Sequence, residues 1–487
     1  MSIQVFDVVK IVTVSRNKIV SVTAAGDRVF VSCKDGNLLV YQLENTEPIH
    51  FSEKMTIPHF SDSKKGVYMM KSVLKWNLLL TLTDKGISIH KLDSLDKIGI
   101  LPNSMGSTFF TLDESRHIIV AAIKKKLLVY QLRDGLQVSQ TLLKEIILPD
   151  PVVCMSFLNS LLFVGTKRQY CLVDINQGRS VKDICDISKS TNVPFCTPIE
   201  QKNSFLGSES DAVENDTREQ GEMLLANDRK GLFYDFVGSP ARGKGQHLEW
   251  SSDASNGVYL CPYFIVATSN GIEVHNSWRY QRIQMIPFSS PRSMEISRLH
   301  SESVAGAMEA FSCYDVVDGV VVCSQSSVIL LKMRPLQEQV FFLFVCNAQI
   351  NILISDEYKN FDDALTLCNL FPRGKEMIRD QFKTQIARLK GLYLFSEGKY
   401  DKAISFLQRG QVPTRQVLSL YPSIIPDDLP TDMYAMLRVN DVQIALSEAR
   451  VRFANGGKRG DRRATSASQH AKTAIVGRRR FIPSLFS

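Results

Sequence analysis

Hydrophobic and polar positions follow one pattern through the first two thirds of the chain. An apolar or β-branched run, a short polar turn and a second alternating run recur as RVFVSCKDGNLLVYQL from Arg28, NLLLTLTDKGISIHKL from Asn77 and HIIVAAIKKKLLVYQL from His117. The pattern returns as LLFVGTKRQYCLVDI from Leu161, MLLANDRKGLFYDFV from Met223, FIVATSNGIEVHNSW from Phe264 and VVVCSQSSVILLKM from Val320. Each unit predicts a β-hairpin, two strands rich in Val, Ile, Leu and aromatics around a turn of Gly, Asp, Asn, Ser or Lys. Seven units in about 335 residues repeat every 48 or so, which suits four-stranded blades. A lone hairpin buries one face and exposes two edges, whereas radial repetition buries both faces against neighbours. The prediction is an all-β, seven-bladed β-propeller over residues 1–335, with one or two β-sandwiches as the competing fold. Residues 203–222, polar, acidic and poor in bulky apolar side chains, read as an insertion loop within it.

Beyond Pro335 the period becomes helical. Ile378, Phe382, Ile386, Leu389 and Tyr393 form one stripe. Two segments, from Asp356 and from Ser396, place an aromatic (Phe361, Tyr400), an Ala three residues on (Ala364, Ala403) and an apolar residue three further (Leu367, Phe406). A small Ala lets a neighbouring helix approach, and the aromatic fills the space between successive hairpins, as in helix-pair solenoids. Residues 336–450 therefore read as the start of an α-solenoid, with about two pairs before the pattern fails. Residues 451–487 lack an apolar period and read as a disordered basic tail.

Charge changes the picture only through its location. The net charge of +8 equals the excess in the tail, where nine basic residues face Asp461 alone, so the first 450 residues are neutral overall. A polybasic tail is able to bind anionic lipid or nucleic acid, and Gly477–Arg480 (GRRR) is open to reading as a localisation signal. The favoured reading is an unstructured end without a dedicated partner. Ten cysteines stand singly, without metal-ligand spacing, and Cys33, Cys323 and Cys346 sit in apolar runs. This usage suits a reduced, cytoplasmic chain. The N-terminus lacks the pattern of a signal peptide, and no stretch reaches the ~20 apolar residues of a membrane span, so the sequon at Asn215 carries no glycosylation meaning.

The string Gly238–Gly245 matches G-x-x-x-x-G-K, but Gly245 replaces the hydroxyl residue a phosphate loop needs, and no helix pattern follows. His90, His117 and His275 lie in predicted strands, where hydrogen-bonded or solvated positions account for them better than ligation. No catalytic or metal motif is present, and no cofactor, nucleic acid or small-molecule substrate is expected. One constellation rises above background. A propeller brings the equivalent turn of every blade to one face, and the third, fourth and fifth turns carry Lys124, Lys125, Lys126, Lys167, Arg168, Arg229 and Lys230 against Asp228. These seven form a candidate basic arc for an acidic partner or lipid surface; ordinary solvated turns are the simpler account.

The segments Ile354–Cys368 (ISDEYKNFDDALTLC), Lys383–Leu407 (KTQIARLKGLYLFSEGKYDKAISFL) and Val412–Pro426 (VPTRQVLSLYPSIIP) resemble the Vam6-type family of vacuolar protein sorting-associated protein 39. The hairpins are similar to its citron-homology propeller. The resemblance implies a non-catalytic subunit of a HOPS-like complex that tethers late endosomes and lysosomes before fusion. It also implies recognition of a Rab-type small GTPase, contacts with other tethering subunits, and a cytoplasmic, peripheral place on late-endosomal and lysosomal membranes. The family's long solenoid and late cysteine pairs have no counterpart here, which implies a truncated isoform or gene model. The paralogous TGF-β receptor-associated, CORVET-like early-endosomal tethers, and signalling regulators of small GTPases with citron-homology propellers, are the alternatives.

Overall fold

The computed structural model describes residues 4–340 and 361–420, apart from 15–16, 45–48, 62, 64, 133–140, 191, 200–220, 244, 301–315, 372–373 and 419. The chain divides into two compact units, residues 1–339 with 369–374, and residues 340–368 with 375–487.

The first unit is built of seven four-stranded antiparallel sheets. Blade 1 runs Ile19–Ala25, Arg28–Cys33, Leu38–Glu44 and His50–Ile57, and blade 2 runs Met69–Val73, Leu78–Thr83, Gly86–Lys91 and Lys97–Ile100. Blade 3 comprises Phe109–Asp113, Ile118–Ile123, Lys126–Gln131 and Thr141–Ile147; blade 4 comprises Val152–Leu158, Leu161–Thr166, Gln169–Asp174 and Arg179–Asp186. Blade 5 comprises Cys196–Ile199, Glu222–Asn227, Lys230–Asp235 and Leu248–Glu249; blade 6 comprises Ala254–Leu260, Tyr263–Thr268, Gly271–Asn276 and Arg282–Ile286. The seven predicted hairpins are the second and third strands of the seven blades.

The blade strands read as near-continuous apolar runs because both faces are covered. On the third strand of blade 3, Leu127 and Val129 pack with Val152, Met155, Leu162 and Val164 of blade 4. Their alternates Leu128 and Tyr130 pack with Leu80, Leu82, Ile87 and Ile89 of blade 2. Truncating such a side chain to Ala costs roughly 2–5 kcal/mol. Buried tyrosine hydroxyls tie blade to blade: Tyr130 donates to the Pro102 carbonyl at 2.7 Å, and Tyr170 donates to the Ala226 carbonyl at 2.7 Å.

Closure is the feature the hairpin pattern did not reveal. Blade 7 runs Ser293–His300, Val316–Cys323 and Ser327–Met333, and its outer strand is the N-terminal Phe6–Thr13. The Gln284 side chain holds that strand, accepting from the amides of Val5 and Phe6 and donating to the Phe6 carbonyl, each at 2.9 Å. Arg334 adds two bonds to Asp7, at 3.0 and 2.7 Å.

The second unit contains α1 (Phe361–Cys368), α2 (Glu376–Ser396), α3 (Tyr400–Arg409) and α4 (Thr414–Leu418) among its described residues. Ala364 and Ala403 are fully buried, as close helix approach requires. Gly391 of α2 lies so near α3 that a Cβ there would stand 2.7 Å from Leu407 Cγ. Phe361 is buried, but Tyr400 is half exposed, with its ring edge-on to Phe395, so the second aromatic does not fill a core space. The predicted tail, residues 203–220 of the insertion, Cys346 and, of Val412–Pro426, residues 419 and 421–426 lie outside the described residues.

Candidate docking face of the propeller

A turn between the second and third strands of every blade emerges on one face, and the connections from each outer strand to the next blade emerge beside it. Blades 3, 4 and 5 bring all seven predicted residues there, and all seven are exposed. The turns are held rather than loose. The carbonyl of Lys125 accepts from Leu148 N at 2.7 Å, that of Arg168 from Ile187 N at 2.6 Å, and that of Arg229 from Trp250 N at 3.1 Å. In each case the amide just beyond the outer strand pins the turn. Lys124 itself adopts φ 51°, a left-handed conformation that favours Gly or Asn and costs a lysine about 1–2 kcal/mol.

The cations are not equally free. Lys126 pairs with Glu145, Arg168 with Asp150 at 3.9 Å, Arg229 with Asp253 at 3.7 Å and Lys230 with Glu249 at 3.4 Å. Such solvent-exposed pairs contribute only about 0–1 kcal/mol each, but they offset local positive potential. Lys124, Lys125 and Lys167 face no carboxylate at ion-pair distance among the described residues. Lys189, exposed on the connection after blade 4, is a further cation of this face that the repeat pattern did not single out.

The same face carries a different sector at blades 6 and 7. A groove of about 580 Å³ is lined there by Ser269, Asn270, Phe288, Ser290, Ser324 and Ser326, among others, without a charged side chain. Blade 6 buries two ionisable side chains. Glu273 and His275 are completely buried; His275 Nε2 lies 3.1 Å from Glu273 Oε2, and the Ser251 hydroxyl donates to Oε1. Burial pushes the Glu273 carboxyl up, but hydrogen bonds from His275 and Ser251 more than offset it and hold it below the usual carboxylate value.

The other singled-out residues are structural. His90 is a buried strand residue between Thr81 Oγ1 at 3.2 Å and the Leu95 carbonyl at 3.3 Å. His117 is not in a strand. It precedes Ile118–Ile123 at φ 57° and stacks on Trp76 with ring centroids 5.1 Å apart. Within Gly238–Gly245, Arg242 is tied to Glu222 and lies 3.6 Å over the Phe233 ring, and the chain continues into strand Leu248–Glu249 rather than a helix. Among the described residues no group of three or more His, Cys, Asp or Glu is placed to hold a metal, and no helix is long and apolar enough to cross a membrane.

The CNH domain family matches residues 25–295, more than half of the chain. The chain belongs to the CNH-domain family. Curated relatives agree with the resemblance read from the helical segments. Vacuolar sorting protein 39 of Arabidopsis thaliana is 22% identical, over 84% of this chain and 36% of its own length. Vacuolar morphogenesis protein 6 of Schizosaccharomyces pombe is 22% identical, over 92% of this chain and 45% of its own length. Transforming growth factor-beta receptor-associated protein 1 of Bos taurus is 21% identical, over 74% of this chain and 37% of its own length. The chain thus spans less than half the length of these relatives.

Proposed function

We propose that this CNH-domain protein acts by binding alone, as a subunit of a HOPS-like complex that tethers late-endosomal and lysosomal or vacuolar membranes. The observation that carries the reading is the order of its parts: a closed propeller followed by Ala-packed helix pairs, in a chain whose relatives are named for vacuolar sorting. In this reading the propeller face at blades 3–5 meets an anionic surface, of a partner or of lipid, a Rab-type small GTPase and other tethering subunits bind the chain, and its membrane association is peripheral. The similarity to TGF-β receptor-associated protein 1 keeps a CORVET-like early-endosomal tether as the second reading.

Affinity purification of the full chain from cells, with quantitative mass spectrometry of co-purifying GTPases and tethering subunits, tests this. Enrichment of late-endosomal tether subunits supports the first reading, and enrichment of early-endosomal subunits the second. Recovery of neither set refutes both. Lys124→Glu, Lys125→Glu and Lys167→Glu are the informative replacements for the arc, because reversing Lys126 or Arg168 would also break an ion pair.

A further inference from the structure

We propose that the blade 3–5 sector docks on an anionic phospholipid bilayer, with Met105, Ile147 and Val193 entering the headgroup boundary between the basic turns. The inference deepens the peripheral-membrane reading above and rests on it. Three of the most exposed large apolar side chains of the propeller lie on this face: Met105 and Ile147 at 74% exposure and Val193 at 56%. Ile147 is the cross-strand neighbour of Lys126. Met105 lies on the connection from blade 2, where its amide stands 3.2 Å from the place of a Cβ on Gly86, next to the turn of Asp84 and Lys85. Val193 lies on the connection after blade 4, whose first residue, Ile187, donates to the Arg168 carbonyl. Around the face the order is therefore Met105, Lys124 and Lys125, Ile147, Lys167, Val193, and then the turn of blade 5.

This alternation selects among partners. A protein interface concentrates apolar side chains in a contiguous buried core with a polar rim. Here they stand singly, two on connections and one at the end of an outer strand, with cations between them, an arrangement that suits insertion between lipid headgroups while lysines meet phosphates. Carboxylates offset four of the seven predicted cations, which argues against a purely electrostatic dock. The three unpaired lysines would supply roughly a hundredfold preference for an anionic over a neutral surface. Apolar insertion must supply the part that salt does not screen. The turn carbonyls pinned by Leu148 and Ile187 hold the side chains on a fixed platform, so little ordering is lost on docking.

The test is co-sedimentation of the full chain with phosphatidylcholine vesicles, with and without phosphatidylserine, at low and high salt. Thermal unfolding of every variant confirms folding. The wild type is expected to bind phosphatidylserine vesicles and to keep a salt-resistant fraction. M105S/I147S/V193S should lower partitioning about tenfold and remove that fraction. K124E/K125E/K167E should lower it by at least roughly a hundredfold. Val181→Ser, an exposed apolar change on the outer strand of blade 4, should match the wild type. If the triple serine variant is unstable, Ile147→Ser alone carries the comparison, with a smaller loss expected. A wild type that ignores phosphatidylserine, or a serine variant that binds like it, overturns the proposal. Capture of tethering subunits is measured on the same variants. Subunits retained while lipid binding is lost support the bilayer dock, whereas subunits lost in the serine variant reassign the three residues to a protein interface and overturn it. A wild type that captures subunits but never binds lipid overturns this proposal alone and leaves the tethering reading standing.

Discussion

Blades 3–5 and blade 6 share one architecture and treat charge in opposite ways. Blade 6 buries Glu273 and His275 mid-strand and closes its turn with Ser269 and Asn270, whereas blades 3 and 4 pack apolar strands against each other and blades 3–5 carry cationic turns. An ion in a low-dielectric interior must be paired or it destabilises the fold, so buried charge is scaffold. A cation on a pinned, water-facing turn adds almost nothing to stability and remains available to a partner. The propeller fixes where turns emerge, and the residues on them decide what each sector can bind.

The largest effect expected from separating the two roles is at Glu273. Glu273→Ala leaves buried His275 without its carboxylate, releases Ser251 and Arg282, and should cost about 3–5 kcal/mol, seen as a fall of several degrees in the calorimetric midpoint. Vesicle and partner binding measured well below that midpoint should be unchanged. Loss of binding in a folded variant would erase the distinction between scaffold and docking charge.

An acid step probes the scaffold again, through His90. Burial pushes its pKa down, the Leu95 carbonyl offsets part of this and Lys97 pushes it down further, to about 4 from the usual 6.5. The fold therefore refuses a proton that the unfolded chain accepts. The associated stability is complete above pH 6.5 and drains as pH falls toward 4, with a loss of ~2 kcal/mol expected at pH 5. His90→Gln should flatten calorimetric stability between pH 7 and 5. Glu273, held below its usual value, adds a loss only in more acidic solution, as pH falls past the ordinary carboxylate range.

The smallest effect sharpens the docking side. Lys124→Gly relieves a left-handed lysine while adding backbone freedom to the unfolded chain, so stability should change by no more than about 1 kcal/mol, in either direction. Vesicle binding should still fall about fivefold from the loss of one unpaired cation. Unchanged binding would remove Lys124 from the docking face.

How much of this was legible in the sequence follows from locality. The seven hairpins were visible because adjacent strands of blades buried on both faces leave paired apolar runs around short turns. The N-terminal strand escaped because its partner, Ser327–Met333, lies more than 300 residues away and no local turn joins them. The basic arc followed from topology once the blades were counted. Its pairing with Glu145, Asp150, Asp253 and Glu249 did not, because those carboxylates arrive from outer strands and connections with variable spacing. Ile147 lies within the apolar run Ile146–Leu148, a pattern that suits core, yet its place at a strand end opposite Lys126 leaves it in water. His117 precedes an apolar run and was read as part of the strand, since histidine, unlike glycine, does not announce a left-handed turn.

Hydrogen–deuterium exchange of the full chain, with and without phosphatidylserine vesicles, tests the central claim that blades 3–5 form the docking face. Protection is predicted at residues 103–108, 124–126, 147–150, 166–168 and 188–194, with the serine-lined connections at 269–270, 287–290 and 324–327 unaffected. Protection centred on the serine sector, or on the opposite face of the propeller, would contradict it.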